Sequence, residues 1–167
     1  IIAWHTQCLL STSVTDLPLV SVRPQIESET AQFLICSPDS ERFLSDVTAG
    51  FDQENMNIID ARVHKARSGL VMMIFVVLME PNILINEDQL AASTLRIRKQ
   101  LLDTQPKKPS KQKRLAPRMK HFPIATEIKF HSDPNRRHTV MEVTAQDRPG
   151  LLHQVANALV HCKARLV

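Results

Sequence analysis

The chain has 167 residues, of which 43% are hydrophobic but only 4% are aromatic, and none is tyrosine, so an aliphatic core is expected. This length permits one domain or two small ones. The sequence contains no run of about 18 apolar residues, the length needed to cross a membrane. The formal net charge is +4, yet seven basic residues and no acids lie between Lys107 and Lys120, which leaves 14 basic against 17 acidic residues elsewhere. Cys8, Cys36 and Cys162 lack CxxC spacing and favour reduced thiols in a cytoplasmic protein over a disulfide or metal site.

The first half of the chain carries alternating apolar runs separated by turn residues. These patterns predict a strand at 19–23, a strand at 33–36, a helix from about 41 to 54, and a hairpin of strands 58–64 and 70–79. Pro38 ends the second strand because the residue before a proline avoids the helical region. Gly69 supplies the turn of the hairpin.

The second half repeats this alternation after a long polar interval. The pattern predicts a helix at 87–102, a basic loop at 105–123, a strand at 126–130, a turn at 132–136, a strand at 139–145 and a helix at 150–161. Four prolines and the basic cluster indicate that 105–123 is a solvated and mobile loop. Nucleic-acid binding is disfavoured there because no aromatic residues are interleaved with the charges.

An internal repeat organises these elements. Residues 33–59 and 141–167 align without a gap, 108 positions apart, and each copy has an apolar run, a loop with an aspartate and a helical apolar stripe. The stripe residues are Phe43, Leu44, Val47 and Phe51 in one copy and Leu151, Leu152, Val155 and Leu159 in the other. The second stripe is expected to be buried against the first unit or a partner chain.

The resulting fold prediction is an α+β protein. The first unit reads β-α-β-β-α-β, a ferredoxin-like arrangement with two helices on one face of an antiparallel sheet, and the second is its first half, β-α. The predicted domain limits are an N-terminal segment at 1–30, a first domain at 31–132 that includes the basic loop, and a truncated second domain at 138–167.

The loop 143–152, with its core Asp-Arg-Pro-Gly-Leu-Leu between a strand and a helix, resembles the opening of an ACT domain, a small-molecule sensing module. Segments 2–6, 122–128 and 133–140 further resemble the carboxy-terminal region of the bifunctional PII uridylyltransferase/uridylyl-removing enzymes. This resemblance implies a regulatory region that senses a small amino acid, expected to be glutamine, and acts on catalytic domains upstream. It also implies that the intact enzyme modifies the PII protein, using Mg²⁺ and UTP in its catalytic domain.

The catalytic motifs of that family are absent from this sequence. It contains no Gly-Ser followed by paired aspartates, no His-Asp dipeptide and no HExxH motif. The fragment is therefore expected to have no catalytic residue, no metal site and no cofactor of its own. The alternatives are a structural or oligomerisation module, forming a homodimer through its sheet edges, and a regulatory domain of another enzyme of amino-acid metabolism.

The candidate effector site is the loop Asp147, Arg148, Pro149, Gly150 and Leu151. Gly150 would let a ligand approach the backbone, the helix N-terminus suits a carboxylate, and Asp147 could accept from an ammonium group. The plainer alternative is that Asp147 only caps the helix and Pro149 takes an early helical position.

The first repeat carries a degenerate copy of this site, consisting of Asp39, Arg42 and Asn57. Arg42 stands where the second repeat has Gly150, so its side chain would obstruct an approaching ligand. Asn57 aligns with Arg165 at the start of the next strand, a second place where ACT domains contact effectors. The first unit is therefore expected to be structural or to bind only weakly.

Overall fold

A computed structural model describes residues 2–25, 28–78, 87–103, 124–133 and 138–166. The elements are helix α1 (Ile2–Leu10), a 3-10 turn (Val14–Asp16), strands β1 (Leu19–Gln25) and β2 (Thr30–Pro38), helix α2 (Phe43–Gln53), strands β3 (Asn57–Lys65) and β4 (Leu70–Leu78), helix α3 (Glu87–Leu102), strands β5 (Glu127–Asp133) and β6 (His138–Thr144), and helix α4 (Leu151–His161). The predicted basic loop at 105–123 lies outside the described residues. No helix in these ranges is long and apolar enough to cross a membrane.

The predicted fold class is confirmed. Four strands form an antiparallel sheet in the order β1-β2-β4-β3, and helices α2 and α3 bury their apolar stripes against one face of it. Residues 33–78, the described part of the predicted segment 33–79, form strand, helix and hairpin as predicted, within a few residues of the expected limits. Helix α2 begins at Phe43 instead of about residue 41, because no side chain caps its first turn and Arg42 takes the capping position.

The edge strand of the sheet is not the predicted one. Strand 126–130 was expected to complete the first unit, but β5 pairs with β6 in a separate two-stranded sheet. The edge position beside β2 is filled by β1, which the predicted domain limits had placed in the N-terminal segment. Each strand pairs with its nearest neighbour along the chain because a hairpin closes a short loop, whereas pairing across a long loop costs more entropy.

Most of the buried core residues are aliphatic, as expected, but an aromatic cluster lies at the centre of the core. Phe33, Phe51 and Phe75 come from β2, α2 and β4 and are fully buried. The Phe51 ring lies 5.1 Å from the Phe33 ring and 4.8 Å from the Phe75 ring, within the range of favourable aromatic contacts. Three of the seven aromatic residues of the chain therefore meet at one point of the core.

The internal repeat is longer than the sequence indicated. At the same offset of 108 positions, β1 aligns with β5, β2 with β6 and α2 with α4, so each repeat is a β-β-α unit that begins at residue 19 or 127. Equivalent positions meet between the helices, since His153 Nδ1 lies 3.0 Å from the backbone oxygen of Ser45, its counterpart. Contact between counterparts is what a two-fold axis produces.

Helix α4 packs on the first unit, but not through the residues expected to be buried. The stripe Leu151, Leu152, Val155 and Leu159 is half-buried, whereas the buried residues of α4 are His153 and Ala156. His153 contacts two small buried residues of α2, Ser45 and Thr48. The small side chains let the helices approach closely, so α4 turns a different side towards α2 than the stripe suggested.

Candidate functional site

A groove of about 700 Å³ runs between the two repeats. One wall is the end of β6 and the loop 145–150 with the start of α4, all from the second repeat. The opposite wall is the end of α2 and the first half of β3, from the first repeat. The groove exists because α4 packs on α2 and places the loop of one repeat opposite the strand of the other.

The predicted effector loop lines this groove, and all five of its predicted residues are present there: Asp147, Arg148, Pro149, Gly150 and Leu151. Asp147 is exposed, and its carboxylate has no hydrogen bond or ion pair with any residue that the structure describes. Helix α4 starts without a side-chain cap, because Gly150 occupies the capping position. The plainer alternative, in which Asp147 caps the helix, therefore does not hold.

Gly150 adopts a conformation that other residues rarely take. Its φ of 76° and ψ of 6° lie in the left-handed region, where a Cβ costs energy. A Cβ at Gly150 would also lie 3.3 Å from both carboxylate oxygens of Asp52. The backbone conformation thus favours glycine at this position, and a larger residue would also have to displace the Asp52 side chain slightly.

Asp52 is a site residue that the sequence analysis missed. It belongs to α2 in the first repeat, yet its half-buried carboxylate lies beside the start of α4. Like Asp147, it has no side-chain partner within the described part of the chain. Its counterpart in the repeat is Val160, so the alignment gave no signal; only the packing of α2 against α4 places an acid here.

Asn57 lies in the same groove, at the start of β3. The sequence analysis had grouped it with Asp39 and Arg42 of its own repeat. The structure instead pairs it with the loop of the second repeat, since the strand start of one unit faces the loop of the other. Asp39 and Asn57 therefore line different crevices, and Arg42 lines neither of them.

A second crevice is lined by residues at repeat-equivalent positions to those of the groove. It lies between Asp39 of the first repeat and Arg165 of the second, and its volume is only about 30 Å³, room for a single water. Lys65 Nζ donates to Asp39 Oδ2 at 3.0 Å, and both residues line the crevice. Apolar residues of β3 and β4 complete its walls. Arg42 does not line this crevice and lies near Asp46, at 4.0 Å.

The polar groups of the groove suit a zwitterionic ligand, which carries one positive and one negative group. Unpaired carboxylates of Asp52 and Asp147 can accept from a cationic group. The uncapped start of α4 offers backbone N–H groups and a partial positive charge to an anionic one. Arg148 also lines the groove, and its guanidinium donates a 2.7 Å hydrogen bond to Gln154 Oε1. No cluster of three or more His, Cys, Asp or Glu side chains that could hold a metal ion occurs among the described residues.

Comparison with known proteins identifies relatives over almost the whole chain. It is 32% identical over 154 residues to the bifunctional uridylyltransferase/uridylyl-removing enzyme of Vibrio campbellii, which covers 92% of this chain and 18% of the relative. The enzymes of the same name from Methylococcus capsulatus and Bordetella avium are 31% and 30% identical, each over 99% of this chain and 19% and 20% of their own lengths.

No protein-family model and no solved structure matches the chain. The chain spans about a fifth of the length of the curated relatives it matches. The resemblance seen in the sequence is confirmed: this chain is related, along nearly all of its length, to one region of the bifunctional uridylyltransferase/uridylyl-removing enzymes.

Proposed function

We propose that this chain is a non-catalytic regulatory region of such an enzyme, built from ACT-type units, and that its groove binds a small α-amino acid. Glutamine is the amino acid expected from the resemblance. The observation that supports this most is the groove itself, which brings Asp147 and Gly150 of one repeat together with Asp52 and Asn57 of the other.

The groove offers a complementary partner for each end of an amino acid. An α-ammonium group would bind between the carboxylates of Asp52 and Asp147, which lie in the groove and have no side-chain partner among the described residues. The α-carboxylate would then accept from the free backbone N–H groups at the start of α4. Asn57, on the opposite wall, can donate to and accept from a side-chain amide, as glutamine recognition requires.

Binding at a composite site provides a route to regulation. A ligand that contacts both repeats stabilises the arrangement in which α4 lies on α2. A tenfold shift between two arrangements requires only about 1.4 kcal/mol of differential binding. In the intact cytoplasmic enzyme this shift would bias the upstream catalytic domains that act on the PII protein.

One observation favours a second candidate function, a structural or self-associating module. Ile128, Phe130 and Val143 project from one face of the β5–β6 hairpin and are between 36% and 66% exposed. Their counterparts Val20, Val22 and Ile35 belong to or pack against the buried core of the first unit. A partner that covered this apolar face would give the fragment an association role instead.

Calorimetry with L-glutamine, accompanied by light scattering, tests the proposal. Asp147→Asn should weaken binding at least tenfold, because it removes one of the two acceptors for the ammonium group. Asp39→Asn, at the equivalent position of the first repeat, is the matched control and should leave binding unchanged. D-glutamine and L-glutamate test recognition of the α-carbon and the side chain. Equal affinity of both variants, or no binding by a chain that scatters as a dimer, would favour the association module.

A further inference from the structure

Helix α1 lies on the face of the sheet opposite α2 and α3. Residues of β1 alternate between the two faces, and Val20 and Val22 point to the core, so Ser21 and Arg23 point to α1. Cys8 Sγ lies 3.5 Å from Ser21 Oγ, and the Arg23 guanidinium lies 4.9 Å from the centre of the Trp4 ring. The contacts of α1 with β1 thus include a thiol–hydroxyl hydrogen bond and a cation–π contact.

The centre of this contact is a polar cluster that is buried but incompletely satisfied. His5 and Gln32 are only 8% and 6% exposed. His5 Nε2, Arg23 Nε and Gln32 Oε1 are buried and have no hydrogen-bond partner among the described residues. Buried polar groups without partners weaken an interface, since their desolvation is not offset.

The surroundings of His5 favour its neutral form. Burial is the largest cause that lowers the pKa of His5 below its ordinary 6.5, and the positive charge of Arg23 lowers it further. The Gln32 side chain, the second-largest influence, raises the pKa of His5 by hydrogen bonding, and His64 of β3 adds a smaller lowering effect. No carboxylate contributes. A proton on His5 would thus place a second charge next to Arg23 in a desolvated site.

We propose that α1 is a pH-sensitive strap, which stays on the sheet while His5 is neutral and lifts off when the imidazole takes up a proton from solvent. Release would expose the second face of the sheet, where Leu34 is now fully buried. It would also free the segment that leads into the edge strand β1. Because Arg98 of α3 donates to the backbone oxygens of Asp16 and Pro18, at 2.8 and 3.1 Å, β1 itself should stay in place.

Trp4 is the only tryptophan of the chain, so its fluorescence reports on this helix alone. Between pH 8 and pH 5 its emission should shift to the red in one step, with a midpoint below 6.5, while the far-ultraviolet circular dichroism of the body stays constant. His5→Gln should abolish the step, and His161→Gln, at an exposed histidine of α4, should retain it. The proposal is overturned if the emission does not change, if the step survives in His5→Gln, or if the whole chain unfolds in the same transition.

A second variant keeps the test decisive if His5→Gln releases α1 at every pH. His64→Gln removes a positive neighbour of His5 without touching α1, so the midpoint of the Trp4 transition should move to higher pH. A midpoint that stays in place in this variant, or moves down, contradicts titration of His5 as the trigger.

Discussion

The two loops that open α2 and α4 occupy equivalent places and have opposite properties. In the first, Asp39 is bound by Lys65 at 3.0 Å, and Arg42 has a φ of −93° that any residue adopts. In the second, Asp147 is exposed without a described partner, and Gly150 is held in the left-handed region. One loop is closed by its own strand, and the other faces an open groove.

This difference shows that equivalent positions in the two repeats do not by themselves produce equivalent grooves. The aspartate and the following helix are present in both repeats, so both satisfy the same local pattern. What differs is the residue before the helix and the element that covers the loop. β3 and β4 cover the first loop and leave about 30 Å³, whereas the second lines a groove of about 700 Å³.

The largest expected effect is on the free energy of unfolding, and it compares equivalent apolar residues of α2 and α4. Phe51→Ala should destabilise the chain by about 3–5 kcal/mol, because it leaves a cavity between two aromatic rings. Leu159→Ala, at the equivalent position, should cost about 1 kcal/mol, since that side chain is half-buried and loses little area. Urea denaturation followed by circular dichroism measures both.

Equal losses in these two variants would contradict the contrast. They would mean that Leu159 is buried in solution, by a second copy of the chain or by another segment. Sedimentation analysis of the wild-type chain distinguishes these two cases.

The sequence predicted what local periodicity determines and missed what distant packing determines. The segment around α2 was predicted within a few residues because its strands alternate and its stripe has helical spacing. The edge strand was assigned to 126–130 instead of β1, since two similar short strands give no local sign of which one pairs with β2. Asp52 was missed for the same reason, because its place in the groove depends on α4 packing against α2.

The next effect tests why the second loop requires glycine. Gly150→Ala should destabilise the chain by about 1–2 kcal/mol through its left-handed backbone, and should also displace Asp52. Gly69→Ala is the matched control, because Gly69 has a φ of 81° but nothing within 4 Å of an added Cβ. Both variants should lose stability, and only Gly150→Ala should lose glutamine binding. If both variants lost glutamine binding, the cause would be a general loss of stability and not the change at Gly150.

A smaller effect tests how firmly the two helices are anchored. Glu54, beside the end of α2, accepts from Arg96 and Ser93 of α3 at 2.6–2.8 Å, while its counterpart Cys162 is exposed. The bond from Arg96 is the main cause that lowers the pKa of Glu54 below its ordinary 4.5. Glu54→Gln should lower the melting temperature by roughly 2–4 °C at neutral pH, a typical shift for one such interaction in a chain of this size.

The pH dependence of this effect has a definite sign. A lowered pKa in the folded state means that the unfolded chain binds the proton more tightly, so the stabilisation is present above about pH 4.5 and is lost as the pH falls further. The wild type and Glu54→Gln should therefore converge in melting temperature in acid. A constant difference down to pH 3 would show that packing, and not the charge of Glu54, is responsible.

The smallest expected effect is on the free energy of unfolding of variants at Asp39 and Asp147. Asp39→Asn should cost about 0.5 kcal/mol, because it breaks an ion pair with Lys65 that is partly exposed and partly screened. Asp147→Asn should change the free energy of unfolding by less still, since the exposed carboxylate caps nothing and pairs with nothing described. The same two variants should rank in the opposite order for glutamine binding, where only Asp147→Asn is expected to matter. Urea denaturation and calorimetry on both variants therefore separate a residue that supports the fold from one that the fold leaves free for a ligand. If Asp147→Asn proved the more destabilising variant, Asp147 would have a structural role in solution and would lose its place in the proposed site.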